Sequence, residues 1–262
     1  MICVLGDAHL DVVVAVRGPI AEETDTDAAI SAGVGGQAAN VAAWIAELGG
    51  SARLIAARGN DLAARLVAGE LARRRVDLVG PVIDGRTGVV VSLSAGGSAR
   101  SMLTDRGVGP RLAASDLDRE WVAGCEWLHL PAYSLVAEPV RHAALAAAGL
   151  ATRLSVDLSS TAALLGYGVG PFRELIARLG PDVVFGNEAE AALVGDLPGS
   201  EVVVKLGRRG VRAGGISYPA RPTQPADATG AGDAFAAGYL VGGVDLGLEA
   251  AARAVATMGA MP

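Results

Sequence analysis

The sequence predicts an α/β fold: a doubly wound, mostly parallel sheet with helices on both faces and a small β lid projecting from it. Three observations carry that reading. Short apolar runs alternate with amphipathic helical segments along all 262 residues, the pattern of a parallel sheet covered on both sides. Two stretches break the alternation with strand-like patterning, so a second, smaller sheet is expected from them. No repeat or low-complexity linker divides the chain, and an α/β fold of this length commonly forms one domain, so residues 1–262 are read as a single domain.

Ile2–Leu5 is the first strand, four apolar residues closed by Gly6-Asp7. Asp11–Val16, the acidic stretch Glu22–Asp27 and Ala28–Ala32 read as strand, loop and strand. Ala39–Leu48 is a helix that places Val41, Trp44, Ile45 and Leu48 on one face before a Gly49-Gly50 stop. Strand Arg53–Ala57 and helix Leu62–Arg74 follow, and the run Arg73-Arg74-Arg75 puts cations where they complement the helix dipole. Thr87–Leu93 and Arg100–Thr104 flank Gly96-Gly97 as a hairpin. With the earlier strand pair, this hairpin would build the lid from about residues 11–34 and 87–105. Such a sheet either closes over a site that must exclude water or extends the main sheet at its edge. Strands Trp127–Leu130, Leu154–Asp157, Val183–Phe185 and Val202–Leu206 continue the main sheet. Helices Ala137–Ala148, Phe172–Leu179, Glu188–Val194, Gly232–Val241 and Leu248–Met258 accompany them.

Composition narrows the function classes. A hydrophobic content of 51% and a mean hydropathy of +0.39 argue against disorder. No apolar run free of charge, Gly and Pro reaches membrane-spanning length, so no membrane partner is expected. The first residues, Met1-Ile2-Cys3-Val4-Leu5-Gly6-Asp7, read as a strand rather than a signal peptide, which points to the cytoplasm. A net charge of -6 and a pI of 5.1 disfavour nucleic acid as a partner. Cys3 and Cys125, with His9, His129 and His142, are too few for a disulfide framework or a zinc site and are read as structural. Lys205 is the only lysine, which excludes a Walker phosphate loop, and no Gly-x-Ser-x-Gly elbow is present.

The most informative segment is Asp227-Ala228-Thr229-Gly230-Ala231-Gly232-Asp233, which runs into the helix former Ala234–Leu240. Small residues at Gly230, Ala231 and Gly232 let backbone N–H groups converge at a helix N-terminus, where unpaired donors and the dipole attract an anion. Asp233 sits one step inside. There a carboxylate can take a proton from a hydroxyl that attacks phosphorus, although a turn followed by a dipole-favoured acid accounts for the same residues.

Other motifs open helices or close strands. Gly33-Val34-Gly35-Gly36-Gln37-Ala38-Ala39-Asn40 only loosely fits a dinucleotide fingerprint, since its leading strand is poor and no acidic ribose ligand is evident. Gly35 and Gly36 instead let a small polyol approach the backbone, with Asn40 one turn into the helix to bond a hydroxyl. Asp11, beyond the first strand, could hold sugar hydroxyls or serve as a turn carboxylate. Asn187-Glu188-Ala189-Glu190 puts Asn187 and Glu190 on one helical face, fit either to hold magnesium-bound water or to form a capping box. Lys205-Leu206-Gly207-Arg208-Arg209-Gly210 closes a strand in a glycine-bounded turn that could reach a phosphate or simply reverse the chain.

In this order the motifs resemble the ribokinase-like, or PfkB, family of carbohydrate kinases, over nearly the whole chain. The resemblance implies ATP-dependent transfer to a hydroxyl, a primary alcohol, of a small sugar, sugar acid or nucleoside. It implies Asp11, Gly35, Gly36 and Asn40 as acceptor ligands and Asp233 as the base beside a Gly230–Ala231–Gly232 anion hole. Nucleotide and Mg2+ would fall to Asn187, Glu190, Lys205, Gly207, Gly210 and Thr229, with Glu190 acting on the metal through water. Asp227 would serve a monovalent cation such as K+. Arg106, just past the lid hairpin, resembles an Arg that some members aim at the acceptor, which suits a charged substrate group, or else is a surface arginine. Oligomeric state is not fixed by the sequence, although exposed edges of the lid strands could pair two copies as a homodimer. Gln37, His9 and Ala132 stand where the ribose-binding pattern has Lys, Asn and a carboxylate, so an acceptor other than ribose is implied. The link Gly195–Ser200 leaves no room for the helix usually found there, and the end at Met261-Pro262 omits the customary last helix. Both lie near the expected adenine. A sugar- or nucleotide-binding protein with weak catalysis is the alternative, and a nicotinamide oxidoreductase a more distant one.

Overall fold

The computed structural model describes residues 1–95 and 100–262; the proposed Gly96-Gly97 turn lies outside the described residues. The main sheet contains, in chain order, β1 (Ile2–Leu5), β4 (Ala52–Ile55), β5 (Asp77–Val79), β8 (Trp127–Pro131), β9 (Arg153–Asp157), β10 (Val183–Asn187), β11 (Glu201–Lys205), β12 (Val211–Ala213) and β13 (Ile216–Tyr218). Their spatial order is β13-β12-β11-β10-β9-β8-β1-β4-β5. The pairs from β11 to β5 are parallel, and only the β12–β13 edge is antiparallel.

From β1 the chain winds one way to β4 and β5 and then crosses to β8 on the other side. The carboxyl ends of β1 and β8 therefore bound a topological switch point, where an open α/β sheet has its crevice. Strand alternation explains the helices on both faces. Ile2 and Val4 enter one core, with α1 (Gln37–Glu47), α7 (Ala231–Gly242) and α8 (Val244–Val255); Cys3 and Leu5 enter the other, with α3 (Val140–Ala148) and α5 (Val169–Leu179). Phe185 of β10 anchors the first core, 5.2 Å from the Tyr239 ring and 6.2 Å from Phe235 in edge-on geometry. Phe172, fully buried, anchors the second.

A second sheet has the order β3-β2-β6-β7, built from β2 (His9–Val16), β3 (Ala28–Gly35), β6 (Thr87–Ala95) and β7 (Arg100–Gly107). Only β2 and β6 pair in parallel. β3 is thus antiparallel to β2 in this smaller sheet, so the Gly33–Ala38 motif does not follow a strand of the main parallel sheet as a dinucleotide site requires.

The expected strands and helices of the main layers are present, with ends shifted by a few residues. The short elements β5, β12, β13 and α4 (Thr161–Tyr167) were not foreseen, because three-residue strands carry too little alternation to read. α3 starts at Val140 rather than Ala137, since Pro139 stands at its N-cap. No helix intervenes between α6 (Glu188–Val194) and β11. Cys3 and Cys125 form a disulfide, which their 122-residue separation concealed. Strands β1 and β8 are neighbours, and this pairing brings the two Cα atoms to 5.9 Å. Arg73 and Arg74 both pair with Glu70 at 2.9 Å at the end of α2 (Leu62–Arg73), as a solvated helix end would.

One polar joint ties α2 to the base of β6. Asp61 caps the helix by accepting from Ala64 N–H at 2.9 Å, and it also accepts from Thr87 N–H at 3.0 Å and Thr87 Oγ1 at 2.7 Å. Thr87 Oγ1 in turn accepts from Gly59 N–H at 3.0 Å. Asp61→Ala is expected to cost about 1–3 kcal/mol, because it removes a cap and strands the buried Thr87 donors. Urea unfolding measures this, and an unchanged midpoint would contradict it.

Candidate active site

The site is assembled where β1, β9, β11, α1 and α7 present their ends. Gly36, the N-cap of α1, has φ +102°, and a Cβ there would overlap the Asp7 carbonyl oxygen. Its lack of a side chain lets Ala39 N–H donate to Asp7 O at 3.3 Å, seating α1 on the turn after β1. Gly35 lies against Asp11, whose carboxylate occupies the place of a Cβ at that residue. Asp11 Oδ1 faces His9 Nδ1 at 2.9 Å. This seating carries the buried Asn40 to the N-terminus of α7.

There Asn40 Nδ2 donates to Asp233 Oδ2 at 2.8 Å. Gln37 stands close enough to Asp233 to favour its ionised form. Asn40 turns its NH2 group to the carboxylate, so its carbonyl oxygen faces elsewhere; Asn40 Oδ1 and Gln37 Oε1 are buried and accept no hydrogen bond. Burial pushes the Asp233 carboxyl up to about 7; Asn40 opposes the shift, Asp157 adds to it, and Lys205 and Gln37 oppose it.

Lys205, at the end of β11, lies on the far side of the same helix start. A Cβ at Gly232 would sit 3.2 Å from Lys205 Nζ, so the glycine admits the ammonium to the first turn of α7. Lys205 Nζ donates to Asp157 Oδ2 at 2.7 Å, and the Asp157 side chain is only 1% exposed. Burial works against the Lys205 charge, but Asp157, and more weakly Asp233 and Glu190, hold its pKa above the ordinary value. Beneath this pair His129 is sealed in the sheet, its Nδ1 2.9 Å from Ser155 Oγ, and desolvation lowers its pKa to about 4. It is a neutral core histidine, as its sequence context suggested.

The remaining expected residues fall around these. Asn187 and Glu190 form a reciprocal capping box on α6, with Glu190 Oε2 accepting from Asn187 N–H at 2.8 Å and Asn187 Oδ1 accepting from Glu190 N–H at 2.9 Å. Burial raises the pKa of Glu190, opposed by the Asn187 N–H and reinforced by Asp157. Gly207 and Gly210, at φ +59° and +96°, bound the turn after β11, and Leu206 N–H donates across it to Gly210 O at 2.8 Å. Asp227 Oδ1 accepts from Thr229 N–H at 3.0 Å and Thr229 Oγ1 at 2.7 Å, and Oδ2 from Gly259 N–H at 3.3 Å. That carboxylate orders the loop before α7. Gly230, at φ +76°, packs on Ala260, whose carbonyl accepts from Trp44 Nε1 at 3.0 Å.

Arg106, on β7, donates through Nε at 2.9 Å to Asp7 Oδ2, and its NH2 group is 2.8 Å from the same oxygen. Its NH2 also reaches Tyr133 O at 3.4 Å, with the guanidinium 5.7 Å from the Tyr133 ring. The ion pair with Asp7 was not foreseen. A separate groove of about 950 Å³ opens between α6 and the β11–β12 edge, lined by Ala191, Leu197, Val202, Val204 and Arg212. It lies beside the helix-free link between α6 and β11.

A profile described as pfkB family carbohydrate kinase matches residues 1–261. The chain belongs to the pfkB family of carbohydrate kinases. It is 31% identical over 258 residues to an ATP-dependent ribose-1-phosphate kinase of Halopiger xanaduensis, covering 92% of this kinase and 84% of that one. The fold matches adenosine kinase from Sinorhizobium meliloti with a TM-score of 0.86 at 22% identity, over 100% of this chain and 95% of that one. It also matches a putative ribokinase II from E. coli, solved with ATP and Mg2+, with a TM-score of 0.83 at 20% identity, over 99% and 94% of the two chains. The fold is therefore ribokinase-like and the chain is a carbohydrate kinase.

The kinase site also contains residues that sequence reasoning did not select. Asp157 was legible only as the end of a strand, Asp7 as part of a turn, and Gln37 as a departure from a family pattern. An acid at the carboxyl end of a parallel strand was the available signal for Asp157 and Asp7.

The raised pKa of Asp233 has a consequence for stability. The folded kinase binds this proton more tightly than the unfolded chain does, so stability falls as pH rises from about 4 to about 7, and the full cost is present above that window. Asp233→Asn, which cannot ionise, is expected to be more stable than the wild type at pH 8, with the difference vanishing near pH 4. Thermal unfolding at both pH values decides this, and a wild type that is the more stable at pH 8 would contradict it.

Proposed function

We propose that this kinase transfers the terminal phosphoryl group of ATP to a hydroxyl, a primary alcohol, on a small sugar, sugar acid or nucleoside. The observation that carries the reading is the position of Asp233. It lies in the first turn of α7, held by Asn40, with Lys205 against the neighbouring Gly232. As the acceptor oxygen bonds to phosphorus, Asp233 takes its proton, the bond from phosphorus to the bridging oxygen breaks, and the electron pair leaves with ADP. In this reading the main-chain turn Gly230–Ala231–Gly232, where Ala231 N–H donates to Ala228 O at 3.4 Å, joins the helix dipole and Lys205 in stabilising the charge of the migrating group.

Asp11, Gly35, Gly36, Asn40 and Arg106 bound the acceptor side, and Asn187, Glu190, Lys205, Gly207, Gly210 and Thr229 the nucleotide side. Glu190, whose Oε2 accepts from Asn187 N–H, supplies a hard carboxylate that would act on Mg2+ through water. Mg2+, when bound, neutralises phosphate charge. If a monovalent cation such as K+ is used, Asp227 is the carboxylate that precedes the anion loop. We read residues 1–262 as one domain whose second sheet, about residues 11–34 and 87–105, closes as a lid and excludes water. Ile30, Met102 and Leu103 are exposed on that sheet, which supports a homodimer through the lid. A cytoplasmic setting supplies the ATP.

ADP release across a panel of sugars, sugar acids and nucleosides tests the activity, with calorimetry to follow binding. Binding without ADP release would favour a sugar- or nucleotide-binding protein with weak catalysis. Asp233→Asn is expected to retain binding of both substrates while kcat falls by about 10²–10⁴, and unchanged turnover would refute the base. In the wild type, kcat/KM should decline on the acid side with an apparent pKa of about 7, as protonation disables Asp233. A rate flat from pH 8 to pH 5 would contradict that assignment.

A further inference from the structure

The acceptor side combines unsatisfied hydrogen-bond acceptors with negative charge, and the guanidinium there is already paired. We infer that this kinase selects an electrically neutral polyol, and that the Asp7–Arg106 ion pair turns away sugar acids and sugar phosphates. The inference rests on the kinase reading above and narrows its acceptor class.

Two buried amide oxygens accept no hydrogen bond: Asn40 Oδ1 and Gln37 Oε1. Asn40 Oδ1 is fixed as an acceptor because its NH2 group serves Asp233. Buried acceptors are costly to leave unpaired, and hydroxyls are the groups on a polyol that donate to them. A carboxylate or phosphate dianion has no proton to offer.

The charge distribution points the same way. Asp7, Asp11 and Asp233 lie on segments in mutual contact: Gly36 packs on Asp7, Gly35 on Asp11, and Asn40 bonds Asp233. Arg106 directs both Nε and NH2 to one oxygen of Asp7, while the other Asp7 oxygen packs on Gly109, where a Cβ would lie 2.9 Å away. To grasp an anionic acceptor, Arg106 would have to abandon Asp7, whose side chain is 14% exposed. That would strand a largely buried carboxylate beside the incoming anion. A neutral hydroxyl can bond at this place without breaking the pair.

The test compares acceptor pairs that differ in charge and keep the primary alcohol: ribose with ribose 1-phosphate, glucose with gluconate, and adenosine with 3'-AMP. With MgATP, the neutral member is expected to show kcat/KM at least about tenfold higher, a range that polar recognition readily supplies. Asp7→Asn frees Arg106 and should move the ratio toward the anion by about tenfold, mainly through acceptor KM, and adding Arg106→Gln should erase that shift. A wild type that prefers the anionic member, or an Asp7→Asn enzyme with an unchanged ratio, would overturn the inference while leaving the kinase activity intact. Should Asp7→Asn fail to fold, Arg106→Gln alone decides. A ratio within about threefold of wild type supports the inference, and selective loss of the anionic member overturns it. If no acceptor releases ADP, the kinase chemistry itself fails. Calorimetry with the same pairs then reads selectivity directly: neutral preference supports the inference and anionic preference overturns it.

Discussion

The hydrogen bond from Asn40 to Asp233 joins two helix starts that are 193 residues apart in sequence. It requires α1 and α7 to begin at the same end of the sheet and on the same face, which strand alternation and the shared core around Phe185 and Phe235 enforce. Two glycines set the close approach. Gly36 lets α1 settle on the turn after β1, and Gly230 turns the chain into α7 in a left-handed conformation beside Ala260. The elements around these joints act as a frame that holds one amide against one carboxylate.

That frame keeps charge where water would disperse it. Asp157 and Lys205 form a tight pair below the α7 start, while Asp233 stays partly protonated at neutral pH because its own burial outweighs the donors around it. A carboxylate poised in this way can accept a proton during reaction, and the same desolvation makes it a liability to the folded state. The capping box of Asn187 and Glu190 shows a related economy, since residues expected to serve metal and phosphate also satisfy the first turn of a helix. The structural and chemical readings of that motif are therefore compatible.

Periodicity made the main layers legible: the strand runs, the amphipathic Ala39–Leu48 segment and the apolar helix after Asp233 all appear where patterning put them. The second sheet was legible because its strands interrupt the main rhythm, and β2 and β6 pair in parallel although 70 residues part them. The three-residue strands at the sheet edges were not, since their pairing depends on a neighbour already in place. The disulfide was hidden for a similar reason: Cys3 and Cys125 become neighbours only through the β1–β8 crossover.

The sequence by itself determined the class of fold, the order of the motifs and the candidate chemistry of Asp233, because these follow from local spacing and side-chain type. Tertiary structure decided which charges meet. Lys205 was legible as a phosphate contact, but its partner Asp157 comes from another strand of the sheet. Arg106 was legible as an acceptor-side or surface arginine, and β7 delivers it to Asp7. Electrostatic pairing depends on distances through space, and those are set by strand order and helix seating rather than by separation along the chain.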